Sequence, residues 1–291
     1  MTIFTRTLVA AAIATTAALP LSAQEAPSSM TISTASPGGV YAVYGEGLAQ
    51  LISSEVGIPT STRQTQGPAQ NLVLLKSGQT ELAMTTAGPA YEAMNGLLEL
   101  DPGNSYHDLR ALFSMYPTPF QMVALADGGI SSLQHLDGKR VGAGPRSGTG
   151  GIYWERWLDD LEIGAALQYG GIGDQASQLA DGRLDAVILA GGVPHPSISE
   201  LEGTYTSPQQ DLSTVAMWNF VVVDASMSDA VAYEITKAVI EGNARMISTH
   251  AAAKDTIAEN ILRNTFIPLH PGAARYYEEI GFSIPAAIAP R

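Results

Sequence analysis

The sequence predicts an α/β fold of two similar lobes, on three observations. First, Gly38-Gly39-Val40-Tyr41 recurs as Gly150-Gly151-Ile152-Tyr153, and Leu75-x-x-Gly78-x-x-Glu81-Leu82-Ala83 recurs as Leu179-x-x-Gly182-x-x-Asp185-Ala186-Val187. Between and after these blocks Gly67 matches Gly171, and Thr86-Ala87-Gly88 matches Ala190-Gly191-Gly192. Second, each copy reads as a glycine-rich turn, a helix, a short strand, a glycine turn, a helix and a buried strand ending in small residues. Third, residues 111–126 form two extended segments flanking Pro117 and Pro119, a natural place for the chain to cross between lobes. Two α/β units make a cleft. Ligands of open α/β sheets sit beyond the carboxyl ends of the strands, where these glycine turns fall.

Taken in order, Met30 to Ser36 alternates as a strand and runs into Pro37-Gly38-Gly39. Tyr44, Leu48, Leu51 and Ile52 then share one helical face, ended by Gly57-Ile58-Pro59. Thr60 to Thr65 is rich in strand formers. Leu72 to Leu75 lies on a helix that Gly78 should cap, and Leu82 to Thr86 is a buried strand. In the second copy Lys139 to Ala143 is a strand, and the loop Gly144 to Gly151 opens a helix through Leu158 and Leu161. Ala186 to Ala190 is its buried strand. Trp218 to Val223 reads as the return crossing. Ser228 is placed to cap one long helix whose stripe runs Val231, Ile235, Val239, Gly242, Met246. The chain ends in helix after the Pro268 to Pro271 turn, and these last helices are expected to complete the first lobe. The expected divisions are therefore 24–117 for the first part of lobe 1, 118–214 for lobe 2, and 215–291 for the return.

Composition narrows the function classes. The 291 residues are 45% hydrophobic and 15% charged, with 29 Gly and 17 Pro, as befits a globular α/β chain with many tight connections. The net charge of −13 argues against a nucleic-acid partner, which needs clustered Lys and Arg. Residues 1–23 read as a cleaved signal peptide: Arg6 precedes a short apolar run, and Pro20 to Ala23 resembles a cleavage region. That run falls short of the ~20 apolar residues needed to span a bilayer. The chain contains no Cys, so it has no disulfide, no thiolate-ligated metal and no thiol for a lipid anchor. The expected location is the periplasm, without a membrane span.

The loop Gly144-Pro145-Arg146-Ser147-Gly148-Thr149-Gly150-Gly151 is the sharpest chemical feature. Its glycines admit close approach, and a helix N-terminus offers unpaired N–H groups to an anion. Ser147 and Thr149 add hydroxyls, and Arg146 could pair with a carboxylate. No Lys precedes Thr149, so it is not a phosphate-binding Walker loop, and the third glycine of a dinucleotide fingerprint is missing. Ser36, Gly39 and Tyr41 form the counterpart turn. Thr65, Gly67 and Asn71 occupy another strand-to-helix turn, while Gly88 and Gly191-Gly192 close the repeated strands. All are cleft-lining candidates by position. The five histidines are scattered, so neither a metal nor another cofactor is expected. A serine hydrolase built on Ser147 is the alternative, although Pro145 stands where a nucleophile elbow needs Gly.

With these residues in view, the chain resembles the TAXI family, the substrate-binding components of TRAP-type transporters, from about Thr31 to Gly281. Ser36-Pro37-Gly38-Gly39-Val40-Tyr41 and Thr65-Gln66-Gly67-Pro68-Ala69-Gln70-Asn71-Leu72 are similar to the family's first two loops. More specific are Leu136-Asp137-Gly138-Lys139-Arg140-Val141-Gly142 leading to Ser147-Gly148-Thr149, and the stretch from Ile267-Pro268-Leu269-His270-Pro271-Gly272 to Tyr277. The resemblance implies a type II periplasmic-binding fold and capture of a small organic anion such as glutamate or a dicarboxylate. Its partners would be membrane-embedded TRAP permease subunits, or alternatively a sensor kinase. Two departures stand out. The stretch from Pro194 to Tyr205 is shorter than the family pattern, as though a strand and helix were deleted, and Arg146 replaces a small residue.

Overall fold

The computed structural model describes residues 26–199 and 213–291, so the signal-like segment 1–23 and part of the shortened stretch lie outside the described residues. The first half contains β1 (Met30–Ser33), α1 (Val40–Glu55), β2 (Thr60–Arg63), α2 (Pro68–Lys76), β3 (Leu82–Thr86) and α3 (Ala87–Met94). A 16-residue strand, β4 (Leu109–Ala124), leads to β5 (Arg140–Gly142), α4 (Thr149–Asp160), β6 (Ala166–Gln168), α5 (Ile172–Ala180), β7 (Ala186–Ala190) and the short α6 (Pro196–Ser199). The chain returns through β8 (Ala216–Asp224) to α7 (Asp229–Glu241), α8 (Asn243–Thr249) and α9 (Pro271–Glu279).

The strands form one sheet in the order β2-β1-β3-β8-β4-β7-β5-β6. β1 pairs with β2 and β3 in parallel, and β5 pairs with β6 and β7 in parallel. The two copies thus build equivalent three-stranded sets. Between them, β4 and β8 run antiparallel, from Leu109↔Asp224 to Pro119↔Ala216. One end of β8 pairs with β3 and the far end of β4 pairs with β7, so both strands pass from one half to the other.

Burial on both faces follows the strand period of two. On β8, Val221 and Val223 pack with Tyr44, Leu48 and Ile52 of α1 and with Ile235 and Val239 of α7, while Phe220 and Val222 pack with Leu72, Leu269 and Tyr277 on the opposite face. On β7, Ala186 and Ile188 face Trp154 and Leu158 of α4, while Val187 and Leu189 face Ile172 and Leu179 of α5. The helices after β8 therefore cover the first half.

Several elements differ from their sequence expectation. Pro117 and Pro119 do not divide the extended stretch. They sit inside a single strand: Pro117 borders an irregularity in the β4–β8 register after Ser114, where a missing ladder donor is tolerated, and Pro119 pairs with Ala216 two residues on. The long helix expected from Ser228 to beyond Met246 is two helices parted at Gly242. A Cβ there would lie 2.6 Å from Ala238 O and 3.0 Å from Leu51, so close packing on α1 requires glycine at the break. Ser228 occupies the N-cap position of α7 without a side-chain cap. Thr86-Ala87-Gly88 does more than end a strand: Ala87 begins α3, whereas the matching Ala190-Gly191-Gly192 leads into a turn. Among the described residues the second half keeps a partner for each of β1 to β3. The helix after β7 is described from Pro196 to Ser199, beside residues 200–212, which lie outside the described residues.

Candidate functional site

A cavity of ≈ 70 Å³ lies between the two halves, against β4 and β8. Five helix starts meet it. Gly39, Gly67, Thr86 and Gly148 are the N-cap residues of α1, α2, α3 and α4, Ile172 is the first residue of α5, and all five line the wall. None of these helices is capped by its N-cap side chain. The first N–H groups of a helix have no partner within it, so their partial positive charge is concentrated here. The repeat explains the convergence: the same strand–turn–helix unit, placed on both sides of the crossing strands, aims its turns at one space.

Glycine is needed at particular points of this wall. Gly67 has φ +119, and a Cβ on it would approach the Cα of Gly148, across the cleft, to 3.1 Å. In α4, a Cβ on Gly150 would lie 3.0 Å from Ala190 N, and one on Gly151 would lie 2.4 Å from Pro145 O. Side chains there would push the start of α4 off β7 and out of the cleft.

Of the candidates, Ser36, Gly39, Tyr41, Gly67, Gly148, Thr149, Gly150 and Gly191 line the cavity. The other six lie behind or beside it. Asn71 is fully buried, and its Nδ2 donates to Thr34 O at 2.6 Å and Met84 O at 2.8 Å, tying α2 to the ends of β1 and β3. The Thr65 hydroxyl lies 2.6 Å from Asn71 Oδ1 and accepts from Gly67 N–H at 2.9 Å, so it shapes the turn from behind. A Cβ on Gly88 would lie 2.1 Å from the Tyr153 hydroxyl, so this glycine makes room for a contact between α3 and α4. Arg146 points outward: it pairs with Glu155 at 3.6 Å, and its guanidinium lies 3.8 Å from the Tyr169 ring centroid. Ser147 accepts from Ala69 N–H through its carbonyl at 3.4 Å, and among the described residues no hydrogen bond joins it to a histidine. A Cβ on Gly192 would meet the Tyr116 ring at 2.9 Å.

The sequence reading missed the part of the wall supplied by the crossing strands. Tyr116 and Thr118 of β4, Asn219 of β8 and His195 after β7 all line the cavity. Asn219 is fully buried and joins three elements. Its Oδ1 accepts from the Tyr41 hydroxyl at 2.7 Å, and its Nδ2 donates to Tyr116 O at 2.6 Å and Thr118 Oγ1 at 2.5 Å. The polar Asn within the apolar run Trp218 to Val223 was the available signal. Tyr41 therefore lines the site while its hydroxyl bonds Asn219 of the crossing strands. Burial raises the Tyr41 and Tyr116 hydroxyls well above the ordinary range, and it pushes His195 down to about 4, so His195 is neutral at pH 7.

The halves touch across the cleft. Ser197 Oγ donates to Gly38 O at 2.7 Å, and the Thr86 and Thr149 hydroxyls lie 2.8 Å apart. At the α3–α4 edge the Glu92 carboxylate accepts from the Tyr153 hydroxyl at 2.9 Å and from Arg156 Nη1 at 2.6 Å. These contacts bridge the two halves beside the cavity. The wall can receive an anion through main-chain amides and bury it among neutral side chains. Among the described residues no group of three or more His, Asp or Glu is placed to hold a metal ion, and no helix is long and apolar enough to cross a membrane.

The fold is similar to that of MatC from Rhodopseudomonas palustris, solved with malate bound, at 13% identity over 86% of this chain and 98% of that one, with a TM-score of 0.59. It is also similar to a putative L-cystine ABC transporter protein from Listeria monocytogenes (14% identity, 79% and 96% of the chains, TM-score 0.55). The GluR0 ligand-binding core from Nostoc punctiforme, in complex with L-glutamate, matches at 16% identity over 78% and 99%, with a TM-score of 0.51. At these identities the likeness is one of fold: two α/β halves around a cleft, the periplasmic-binding-protein fold. Residues 32–202 and 202–281 match the NMT1-like family, and with that span of agreement the chain belongs to it.

Proposed function

We propose that this protein is the periplasmic solute-binding component of a TRAP-type transporter of the TAXI class, capturing a small organic carboxylate and handing it to a membrane permease. The lobes would be 24–117 with 215–291, and 118–214. The observation that carries the reading is the meeting of uncapped helix starts from both halves at one cavity beside two crossing strands. Ser36, Gly39, Tyr41 and Gly67 would touch the ligand from one side, and Gly148, Thr149, Gly150 and Gly191 from the other. Closure on the ligand would be a hinge motion at β4 and β8, driven by tighter binding to the closed form. Malate and glutamate in two of the similar structures support a carboxylate as the ligand class, as does the TAXI resemblance.

The test is a thermal-shift screen of small carboxylates on the purified protein. Ligand at ~1,000 times its dissociation constant should add roughly 4 kcal/mol and raise Tm by several degrees. No shift with any carboxylate would count against the reading. Turnover of an ester or amide that disappears in Ser147→Ala would replace it with the hydrolase.

A further inference from the structure

We infer that the site selects organic acids that carry no amino group and rejects amino acids of the same carbon skeleton. This rests on the carboxylate-receptor reading and narrows its ligand class.

The wall is built of donors. Val40 and Tyr41 at the start of α1, and Thr149, Gly150 and Gly151 at the start of α4, all line the cavity. Their N–H groups have no partner within the helix, and among the described residues they bond nowhere else. The start of α2 differs. Pro68 has no N–H, and that of Ala69 donates to Ser147 O at 3.4 Å. Free donors therefore come from α1 on one side and α4 on the other. Their partial positive charge favours a carboxylate and opposes a cation.

What an amino acid would need as well is missing. An ammonium group is a cation that only donates, so it calls for acceptors and a counter-charge. Among the described residues lining the cavity there is no Asp or Glu. Glu92, at the α3–α4 edge, does not line it and already accepts from Tyr153 and Arg156. Side-chain acceptors of the crossing strands are engaged too. Asn219 Oδ1 takes the Tyr41 hydroxyl at 2.7 Å, and Thr118 Oγ1 takes Asn219 Nδ2 at 2.5 Å. The Thr86 and Thr149 hydroxyls bond each other at 2.8 Å. An ammonium here would lose water and face helix starts with no counter-charge, which is costly. A hydrogen, hydroxyl or carbonyl in its place brings no such charge.

Isothermal titration calorimetry with matched skeletons tests this: aspartate against malate and succinate, glutamate against glutarate, alanine against lactate and propionate. Because each set shares its carbon skeleton, pocket size does not decide the comparison. In every set that binds, the acids without nitrogen should bind at least about tenfold more tightly than the amino acid. Gln66 lines the cavity from an exposed position, so Gln66→Glu adds a carboxylate to the wall without entering the core. It should shrink that preference by about threefold or more, with an unchanged denaturation midpoint as the sign of an intact fold. An amino acid that binds as tightly as its counterparts would overturn the inference and leave the receptor standing. A preference untouched by Gln66→Glu would overturn the wall's polarity as its cause. If nothing in the panel binds, the carboxylate-receptor reading fails as well.

Discussion

Asn71 shows how a polar side chain can govern a binding site without facing it. Its amide satisfies the carbonyls of Thr34 and Met84 at the ends of two parallel strands, and its Oδ1 faces Thr65. Asn71→Ala should lower stability by about 2–4 kcal/mol in urea denaturation, because it removes two buried hydrogen bonds and leaves only the Thr65 hydroxyl donating to Thr34 O. A loss under about 1 kcal/mol would contradict the assignment. His195 should write itself into the pH dependence. Its folded pKa, about 4, lies below the ordinary 6.5. Between these values the unfolded chain takes up a proton that the folded chain refuses, so stability is full above pH 6.5 and falls as pH drops toward 4. The full effect is about 3 kcal/mol. Burial shifts His250 and His270 in the same direction. Chemical denaturation at pH 7.5 and 5 should show the loss, and His195→Gln should reduce it; a profile unchanged by that substitution would sink the claim. At this scale the glycines were legible in the sequence, since tight turns leave few other residues possible. The partners of Thr65, Asn71 and Arg146 were not, because which way a turn's side chain points is set by contacts distant in sequence.

At the scale of elements, α3 and α4 form the edge where the halves meet. Gly88 admits the Tyr153 hydroxyl, and Glu92 one turn later receives both Tyr153 and Arg156. Gly88→Ala should prop this edge apart, weakening ligand binding in calorimetry while leaving the denaturation midpoint of the ligand-free protein nearly unchanged. Equal loss of stability would mean that Gly88 serves packing within one half. Strands β3 and β7 have the residue bounds that their apolar runs suggest, because burial on both faces leaves a continuous signal. α3 was hidden: Gly88 and Pro89 in its first turn suit a turn as well as a helix start, and the matching Ala190-Gly191-Gly192 of the second copy is not helical. The break at Gly242 was hidden for a different reason. The stripe from Val231 to Met246 keeps helical spacing through it, and the close approach to Leu51 that fixes the break involves a residue in another helix.

For the molecule as a whole, the repeat carried the architecture, and closure is what it serves. The Glu92 pairings join α3 to α4 across the cleft, so on the proposed hinge motion they would form on closing. Hydrogen bonds to a charged group are worth about 1.5–3 kcal/mol, less for the half-exposed Arg156, so Glu92→Ala should speed ligand release roughly tenfold in surface plasmon resonance. An unchanged release rate would mean that these bonds persist when the cleft opens. The central claim is that amides at the starts of facing helices grip a carboxylate. Backbone-amide NMR during titration with a binding carboxylate tests it most directly. The account predicts the largest shifts at Val40 and Tyr41 of α1 and at Thr149, Gly150 and Gly151 of α4, saturating together. Saturable binding that leaves those five amides unmoved would contradict it.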